Sequence, residues 1–476
     1  LRKFYGSQRY KQLPIALQNA FVTIKGCSYS FVRNGLYPGA LRKKVLAAET
    51  LDEEQIRASQ YRNLVSLVTH AHRHVPYYRK KFAEIGFHPG DLKSIEDLSL
   101  LPVITKEIVR ENADDFFAEN FRGRNLVDGA TSGTTGSSLK LKMDGNLIHL
   151  EHAFALRQFR WAGFPRRGGR CALLRGDMIV PAEQSLPPFW RYDAWSREMW
   201  FSSYHISEAS APSYLSELEK FDPHLIFAYP SAIFSLSQFA AAAGRKPAIP
   251  SLKGIVTSSE TLYEYQCRNV SETFGVKIFD WYGMFERVIF IGTCEEGRYH
   301  VFPDYGITEF LPSGSDEFGV PHHELVGTGF LNRVVPLIRY RTGDTVELPD
   351  RSIPCGCGRH FPQVKSIVGR IDDEIATPDG RRLSVIVMVF KSITGIRLAQ
   401  IIQDSIDALT VLVVPGPGYT DAEEAHLIAN LRERTGAGMR IEVKRVASIA
   451  QGKNGKIKTV VSNLPKGKLN HMVSEL

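Results

Sequence analysis

From about residue 125 to residue 350, short apolar runs alternate with stretches of helical periodicity. The runs are "CALLRG", "LIFAY", "GIVTSS" and "VKIFDWYG", and each ends in a turn rich in Gly, Ser or Tyr. Parallel strands of an α/β domain read this way, and ligands of such domains bind at the carboxyl ends of the strands. The expected fold class is therefore α/β. A chain of 476 residues has room for two or three domains and at least one large core.

The flanks read differently. Residues 53–87 carry apolar residues at helical spacing, and residues 1–120 as a whole read as a largely helical arm and lead-in. His70, His72 and His74 alternate, so a helix would splay them around its circumference rather than gather them on a metal. After "IVGRIDDEI" the character shifts. "EIATPDGRRLSV" predicts a hairpin about Asp379-Gly380, followed by a helix, the strands "LAQIIQD" and "LTVLVVP", the helix "DAEEAHLIANLRERTG" and the strand "MRIEVKRV". These make a small α+β unit of about 105 residues, large enough to stand alone. The expected division is 1–370 and 371–476, with the boundary near Ile371.

Six cysteines in so long a chain do not make a disulfide scaffold, and reduced thiols in a cytoplasmic protein are the expectation. No apolar run reaches the roughly 18 residues that cross a bilayer. The formal charge of +8 is uneven. No acid precedes Glu49, whereas Arg2, Lys3, Arg9, Lys11, Lys25, Arg33, Arg42, Lys43 and Lys44 do, interleaved with aromatic residues. Two readings stand: a helical arm packed on the body with its charges in water, or a peripheral surface for a membrane or an acidic partner.

One loop combines features that suit a phosphate ligand. "GATSGTTGSSLKLK" places Thr131, Ser132, Gly133, Thr134, Thr135 and Gly136 in a row. Glycines let the backbone approach a ligand, and exposed N–H groups with hydroxyls form a neutral nest for phosphate oxygens. It lacks the G-K-[ST] ending of a Walker A loop. Alone it could equally be a linker. Downstream, however, come "WYGMFE" (281–286), "RYRTGD" (339–344), "VGRIDD" (368–373) and "NGKIK" (454–458). This ordered series resembles the adenylate-forming superfamily of acyl- and aryl-CoA ligases, and within it the phenylacetate–CoA ligase branch with its relatives in polysaccharide gene clusters. The resemblance spans nearly the whole chain.

The resemblance implies a large N-terminal adenylation domain, a small mobile C-terminal lid, and two half-reactions. A carboxylic acid attacks the α-phosphate of ATP, giving acyl-AMP and pyrophosphate; coenzyme A, or in some relatives an amine acceptor, then displaces AMP. By the same resemblance, Thr131 to Gly136 would hold the β and γ phosphates. Ser138 and Leu139 depart from the superfamily's usual Pro and Lys, and Lys140 is displaced by one position. Glu286 would hold Mg²⁺ with an oxygen ligand suited to a hard cation; a solvent-exposed glutamate at a helix start is the plain alternative. Tyr282 and Gly283 would lie against adenine, with Ser259 and Glu260 nearby. Asp344 would accept from both ribose hydroxyls, with Arg370 assisting. Lys456, after Gly455, would stabilise charge developing at the α-phosphate; Lys453 is its rival. Asp372 matches the hinge of the lid.

Cys294 and His300 in "CEEGRYH", with Cys355 and Cys357 in "CGCGRH", supply the donors of a closed tetrahedral Zn²⁺ site, a structural metal that the resembled branch also carries. His360 is an alternative fourth ligand, and unligated thiols are the plain reading. Cys27, Cys171 and Cys267 read as ordinary thiols. "FAYPSAIF" (227–234) reads either as a lining of the acid pocket or as core. Arg175 and Asp177 stand at another strand end, where Arg175 could meet a carboxylate, a pantetheine phosphate or a structural partner. A zinc-containing nucleic-acid-binding protein and a non-catalytic scaffold would each leave Glu286, Asp344 and Lys456 unexplained, so no nucleic-acid partner is expected. The expected assembly is a monomer or homodimer.

Overall fold

The structure is a computed structural model. It describes residues 10, 12–33, 36–123, 126–130, 139–177, 179–181, 184–315, 319–349, 354–370, 375–378, 382–383, 389–390, 393, 395–416, 418–450 and 457–464. The expected α/β class holds, with helices packed on a large mixed sheet and a smaller sheet following near the C-terminus.

The nine-stranded sheet contains β3 (Cys171–Arg175), β4 (Trp190–Asp193), β5 (Glu198–Ser202), β6 (Leu225–Ala228), β7 (Gly254–Ser258), β8 (Ile278–Gly283), β9 (Phe290–Thr293), β10 (Tyr299–Val301) and β14 (Gln363–Val364), in the order 14-10-9-8-7-6-3-5-4. The four apolar runs singled out in the sequence are β3, β6, β7 and β8. They pair parallel with one another; the connections from β5 to β6, β6 to β7 and β7 to β8 each pass through a helix that returns the chain to the same end of the sheet. Every residue of β6 and β7 is buried, as expected where helices cover both faces. The helix Pro230–Ala242 follows β6 and the helix Glu264–Phe274 follows β7, so the β6 and β7 carboxyl ends face the same crevice.

A four-stranded antiparallel sheet runs β11 (Gly306–Ser315), β12 (Pro321–Gly329), β13 (Tyr340–Glu347), β15 (Ser366–Arg370). Its apolar face shares a core with the helical lead-in, through Leu64, Leu67, Phe82, Phe116, Leu325 and Val346. The helical stretch at 53–87 is interrupted. Helices Glu53–His74 and Pro76–Glu84 meet at Val75, because Pro76 has no N–H to continue the first helix but is tolerated in the first turn of the second. Asp52 caps the first helix, accepting from the Gln55 N–H at 2.8 Å.

The helix Ile15–Arg33 lies along β4, the edge of the large sheet, and covers it. Asn19 Oδ1 accepts from the Tyr192 N–H at 3.1 Å, and Gln18 Oε1 from Arg191 Nε at 2.5 Å. For the described part of the arm, packing on the body is thus observed. Half-buried Lys25 stands near Asp177; burial lowers the lysine pKa to about 8, with Asp177 opposing that shift. No described helix is long and apolar enough to cross a membrane.

Beyond residue 374, β16 (Ile375–Ala376) pairs antiparallel with β17 (Arg382–Leu383), as a hairpin requires, with Asp379 and Gly380 outside the described residues. A mixed sheet follows in the order β20 (Arg440–Arg445), β19 (Ala408–Pro415), β18 (Ile396–Ser405), β21 (Val460–Ser462), with the helix Asp421–Thr435. Its core is Ile401, Leu409, Val411, Val413, Leu427 and Leu431. This unit touches the body near the helix Pro230–Ala242. Gln238 Nε2 donates to the Ile396 carbonyl at 3.1 Å, and the Arg397 guanidinium lies over the Phe239 ring at 5.1 Å.

Candidate active site and metal centre

Glycine opens the way to the site at one point. β1 (Leu126–Ala130) and β2 (Lys140–Asp144), the strands that flank the hydroxyl-rich segment in the sequence, pair antiparallel with Ala130 opposite Lys140. Residues 131–138 lie outside the described residues, but the segment's root is held close to Glu286. A Cβ on Gly129 would sit 2.3 Å from the ring tip of Phe285, so any larger residue there would push that ring aside.

Glu286 itself stands in a turn after β8 rather than at a helix start, which removes the plain alternative. It is half-buried, and Oε1 accepts from the Tyr340 hydroxyl at 3.0 Å. Tyr282, at the end of β8, donates its hydroxyl to Asp344 Oδ2 at 2.5 Å. Asp344 is 7% exposed and lies inside β13, after Gly343 at φ 75°, a left-handed position that suits glycine. Across the ladder its partner is Arg370, whose side chain lies outside the described residues. Ser258 pairs with Trp281 in the β7–β8 register, so Ser259 and Tyr282 leave the sheet side by side. Ser259 adopts φ 74°, which is uncommon for a residue with a side chain and typical of over-determined sites.

Glu260 does not stop at the end of β7. Its carboxylate accepts from the Ser231 N–H at 3.0 Å and the Ser231 hydroxyl at 3.1 Å, at the start of the helix Pro230–Ala242. It also accepts from the Ile457 N–H at 3.4 Å. Lys453, Lys456 and Asp372 lie outside the described residues, yet the residue directly after Lys456 meets the carboxyl end of β7. Glu286, Tyr282, Asp344 and Glu260, more than 80 positions apart at the extremes, thus converge on one crevice. Tyr340 and Ser231, the partners that orient these carboxylates, were given no role from the sequence. Tyr340 lies inside the quoted "RYRTGD" string, but only the fold reveals what its hydroxyl meets.

In the "FAYPSAIF" stretch Phe227, Tyr229, Ile233 and Phe234 are all buried in the core, and the Arg175 guanidinium lies over the Phe227 and Tyr229 rings at 4.3 and 5.1 Å. Arg175 donates to the Ser258 and Ser259 hydroxyls at 2.8 and 3.2 Å.

Below Tyr282, fully buried Asp280 accepts from Thr257 Oγ1 at 2.7 Å and from the Tyr299 hydroxyl at 2.9 Å. Burial pushes its carboxyl up to about 6, against the lowering effect of those hydrogen bonds. The folded protein therefore keeps a proton here that the unfolded chain loses near pH 4. Stability from this group is present at low pH and falls as pH rises from about 4 to about 6, by on the order of 3 kcal/mol. Urea melts of wild type and Asp280→Asn between pH 4 and 8 check this: the stability difference should shift across that window and level off above it. A pH-independent difference would place the charge elsewhere.

The proposed zinc ligands come together from two loops. Ligand atoms of Cys294, His300, Cys355 and Cys357 all lie within 4.8 Å of one another. The Cys294 and Cys355 sulfurs are 3.6 Å apart, and Cys357 Sγ is 3.4 Å from His300 Nε2. Bonds of about 2.3 Å to sulfur and about 2.05 Å to nitrogen give tetrahedral edges of roughly 3.8 and 3.6 Å, so the arrangement fits. The sulfurs form no disulfide. His300 Nδ1 donates to the Phe361 carbonyl at 3.1 Å, which leaves Nε2 as the lone-pair nitrogen facing the thiols. Burial raises the Cys294 thiol and pushes Cys355 up to about 12, so thiolates here need a cation beside them. His360 is exposed and stands outside the cluster, which decides the fourth donor in favour of His300. The cluster sits in an aromatic core with Phe154, Trp161, Phe302 and Phe361. His70 and His74 lie 5.1 Å apart between ring centroids, whereas His72 stacks on Phe82, so the three histidines do not form one site.

Comparison with known proteins agrees with this architecture. Residues 375–463 match the family model of the CapK C-terminal domain. The chain is 24% identical to protein CapK of Staphylococcus aureus, over 96% of this chain and 99% of that protein. It is 28% identical to the phenylacetate–coenzyme A ligase of Thermus thermophilus, over 68% of this chain and 72% of that one. Among solved structures, 2-hydroxyisobutyryl-CoA ligase in its postadenylation state superposes with a TM-score of 0.65 at 22% identity, covering 87% of this chain and 91% of that one. The same ligase in its thioesterification state gives 0.53, at 21% identity with 90% and 93% covered. In sequence the chain is similar to CapK and to the phenylacetate–coenzyme A ligases, and it shares the fold of 2-hydroxyisobutyryl-CoA ligase.

Proposed function

We propose that this chain activates a carboxylic acid with ATP and Mg²⁺ to an acyl-adenylate and then transfers the acyl group to coenzyme A. The observation that carries the reading is the convergence of Glu286, Tyr282 with Asp344, and the segment beside Lys456 on the carboxyl ends of β7 and β8. Triphosphate binds the loop from Thr131 to Gly136, and Mg²⁺ is held by Glu286, itself oriented by Tyr340. Asp344 takes the ribose hydroxyls, with Arg370 across the ladder, and the adenine lies along Tyr282 and Gly283. Lys456 meets the α-phosphate as pyrophosphate leaves. The division of labour follows residues 1–370 and 371–476, the second unit acting as a lid. Zn²⁺ held by Cys294, His300, Cys355 and Cys357 ties the β9–β10 turn to the loop before β14. With all four positions filled by protein it is structural.

The test is ATP–pyrophosphate exchange across a panel of carboxylic acids, followed by thioester analysis with coenzyme A. Exchange that depends on an acid, and a thioester that depends on coenzyme A, are expected. Acid-dependent exchange without a thioester would move the second step to an amine acceptor. Absence of ATP affinity by calorimetry, with Mg²⁺ present, would overturn the reading altogether.

A further inference from the structure

Arg175 ends β3, and its backbone is pinned there by the Ser203 hydroxyl, which donates to the Arg175 carbonyl at 3.1 Å. Its guanidinium reaches across β6 to β7, using one N–H on the Ser258 hydroxyl and one on the strained Ser259. Phe227 and Tyr229 lie under it. Phe227 in turn packs on Trp281, the residue before Tyr282, with ring centroids 4.9 Å apart. The cation is therefore laid on the aromatic floor of the crevice, next to the segment that carries the nucleotide residues.

Two of the five guanidinium donors are used by the serines, and the group is only half-buried. Among the described residues, no carboxylate forms an ion pair with it. Asp177, two positions on, lies near Lys25 instead, and Glu260 is engaged by Ser231 and Ile457. An apolar acyl group set against this floor would strip water from a guanidinium and return nothing. An oxygen acceptor there would receive charge-assisted hydrogen bonds from a group already held by two serines and two rings.

Resting on the acid-activation reading above, we propose that Arg175, with Ser258 and Ser259, forms a subsite for a second oxygen-bearing group of the substrate acid. The substrate class is thereby a polar acid, one with a carboxylate or hydroxyl besides the carboxyl that is activated, rather than a plain aryl or alkyl acid. Arg175 is a specificity-determining residue in this scheme, and the reacting carboxyl lies toward the carboxyl end of β8, beside Tyr282.

Matched acids test this: phenylacetate against 4-carboxyphenylacetate, pentanoate against glutarate, and cyclohexanecarboxylate against glucuronate. Wild type, Arg175→Met and Arg175→Lys are compared in pyrophosphate exchange. The polar member of at least one pair should be preferred by wild type, and Arg175→Met should cut that preference by about 10- to 100-fold. The loss should fall on the KM of the acid, with partial recovery in Arg175→Lys. A preference for the apolar members, or the same preference in wild type and Arg175→Met, would overturn the subsite. Should no acid support exchange, which would count against acid activation itself, thermal-shift titration with the same acids still decides the subsite. Saturable stabilisation by a polar acid that Arg175→Met abolishes supports it; equal responses of the two proteins overturn it.

Discussion

Lys456→Ala is expected to lose acid-dependent ATP–pyrophosphate exchange by about 10²- to 10³-fold, while thioester formation from supplied acyl-AMP survives. The magnitude is that of removing one preorganised group that stabilises charge developing in a transition state. The separation of the two half-reactions follows from where the charge appears. As the acid oxygen attacks the α-phosphate, negative charge builds on the phosphate oxygens and on departing pyrophosphate, and a cation held there lowers the barrier. Attack of a thiol on an acyl-adenylate passes charge through the carbonyl oxygen instead. The expectation rests on the neighbour of the lysine: the Ile457 N–H donates to Glu260 at the carboxyl end of β7. Quenched-flow measurement of each half-reaction is the check. Equal exchange rates in wild type and Lys456→Ala would remove the residue from this role, and a loss in Lys453→Ala instead would transfer it.

The second large effect concerns stability. Cys355→Ser removes one of three sulfur donors from the proposed zinc site. Loss of a structural metal is among the few single changes expected to exceed about 4 kcal/mol. For a domain of about 370 residues that corresponds to roughly 5 °C in Tm. The buried surroundings sharpen the expectation, because Phe154, Trp161, Phe302 and Phe361 pack directly around the cluster and lose their anchor with it. Arg359 extends the effect. It pairs with Glu295 at 2.6 Å and with Glu49 at 3.2 Å, so the loop carrying Cys355 and Cys357 also holds the end of the N-terminal arm. Elemental analysis should find one zinc per chain in wild type and less in the variant. Below its melting temperature the variant should retain pyrophosphate exchange, since the cluster offers no open coordination position. Zinc-poor wild type after purification without chelator, or identical melting of the two proteins, would refute the assignment.

Periodicity carried the large sheet. β3, β6, β7 and β8 were visible because each is a short continuous apolar run closed by turn residues, and burial on both faces demands that pattern. The edge strand β4 and its neighbour β5 were not, because their half-exposed positions mix polar and apolar residues, as "WRYD" and "EMWFS" show. In the C-terminal unit, β18 and β19 were legible as short apolar runs although only part of each strand is buried. Pairing was not, and β21 joins β18 through residues almost 60 positions away.

The proposed site residues were picked out by the family resemblance, through motif order along the chain and chemical type: carboxylates for a cation and for ribose, a Gly-Lys pair for a phosphate, and thiols with an imidazole for zinc. Residue type and order are properties of the sequence, because they record which atoms are available. Which atoms meet is decided by strand register and by the helices that return the chain, and these act across long separations. Only the tertiary structure set Tyr340 on Glu286, chose His300 over His360 for the thiol cluster, and laid Arg175 on Phe227 beside two serines. Each of those outcomes depends on distances that packing imposes and that no local run of residues encodes.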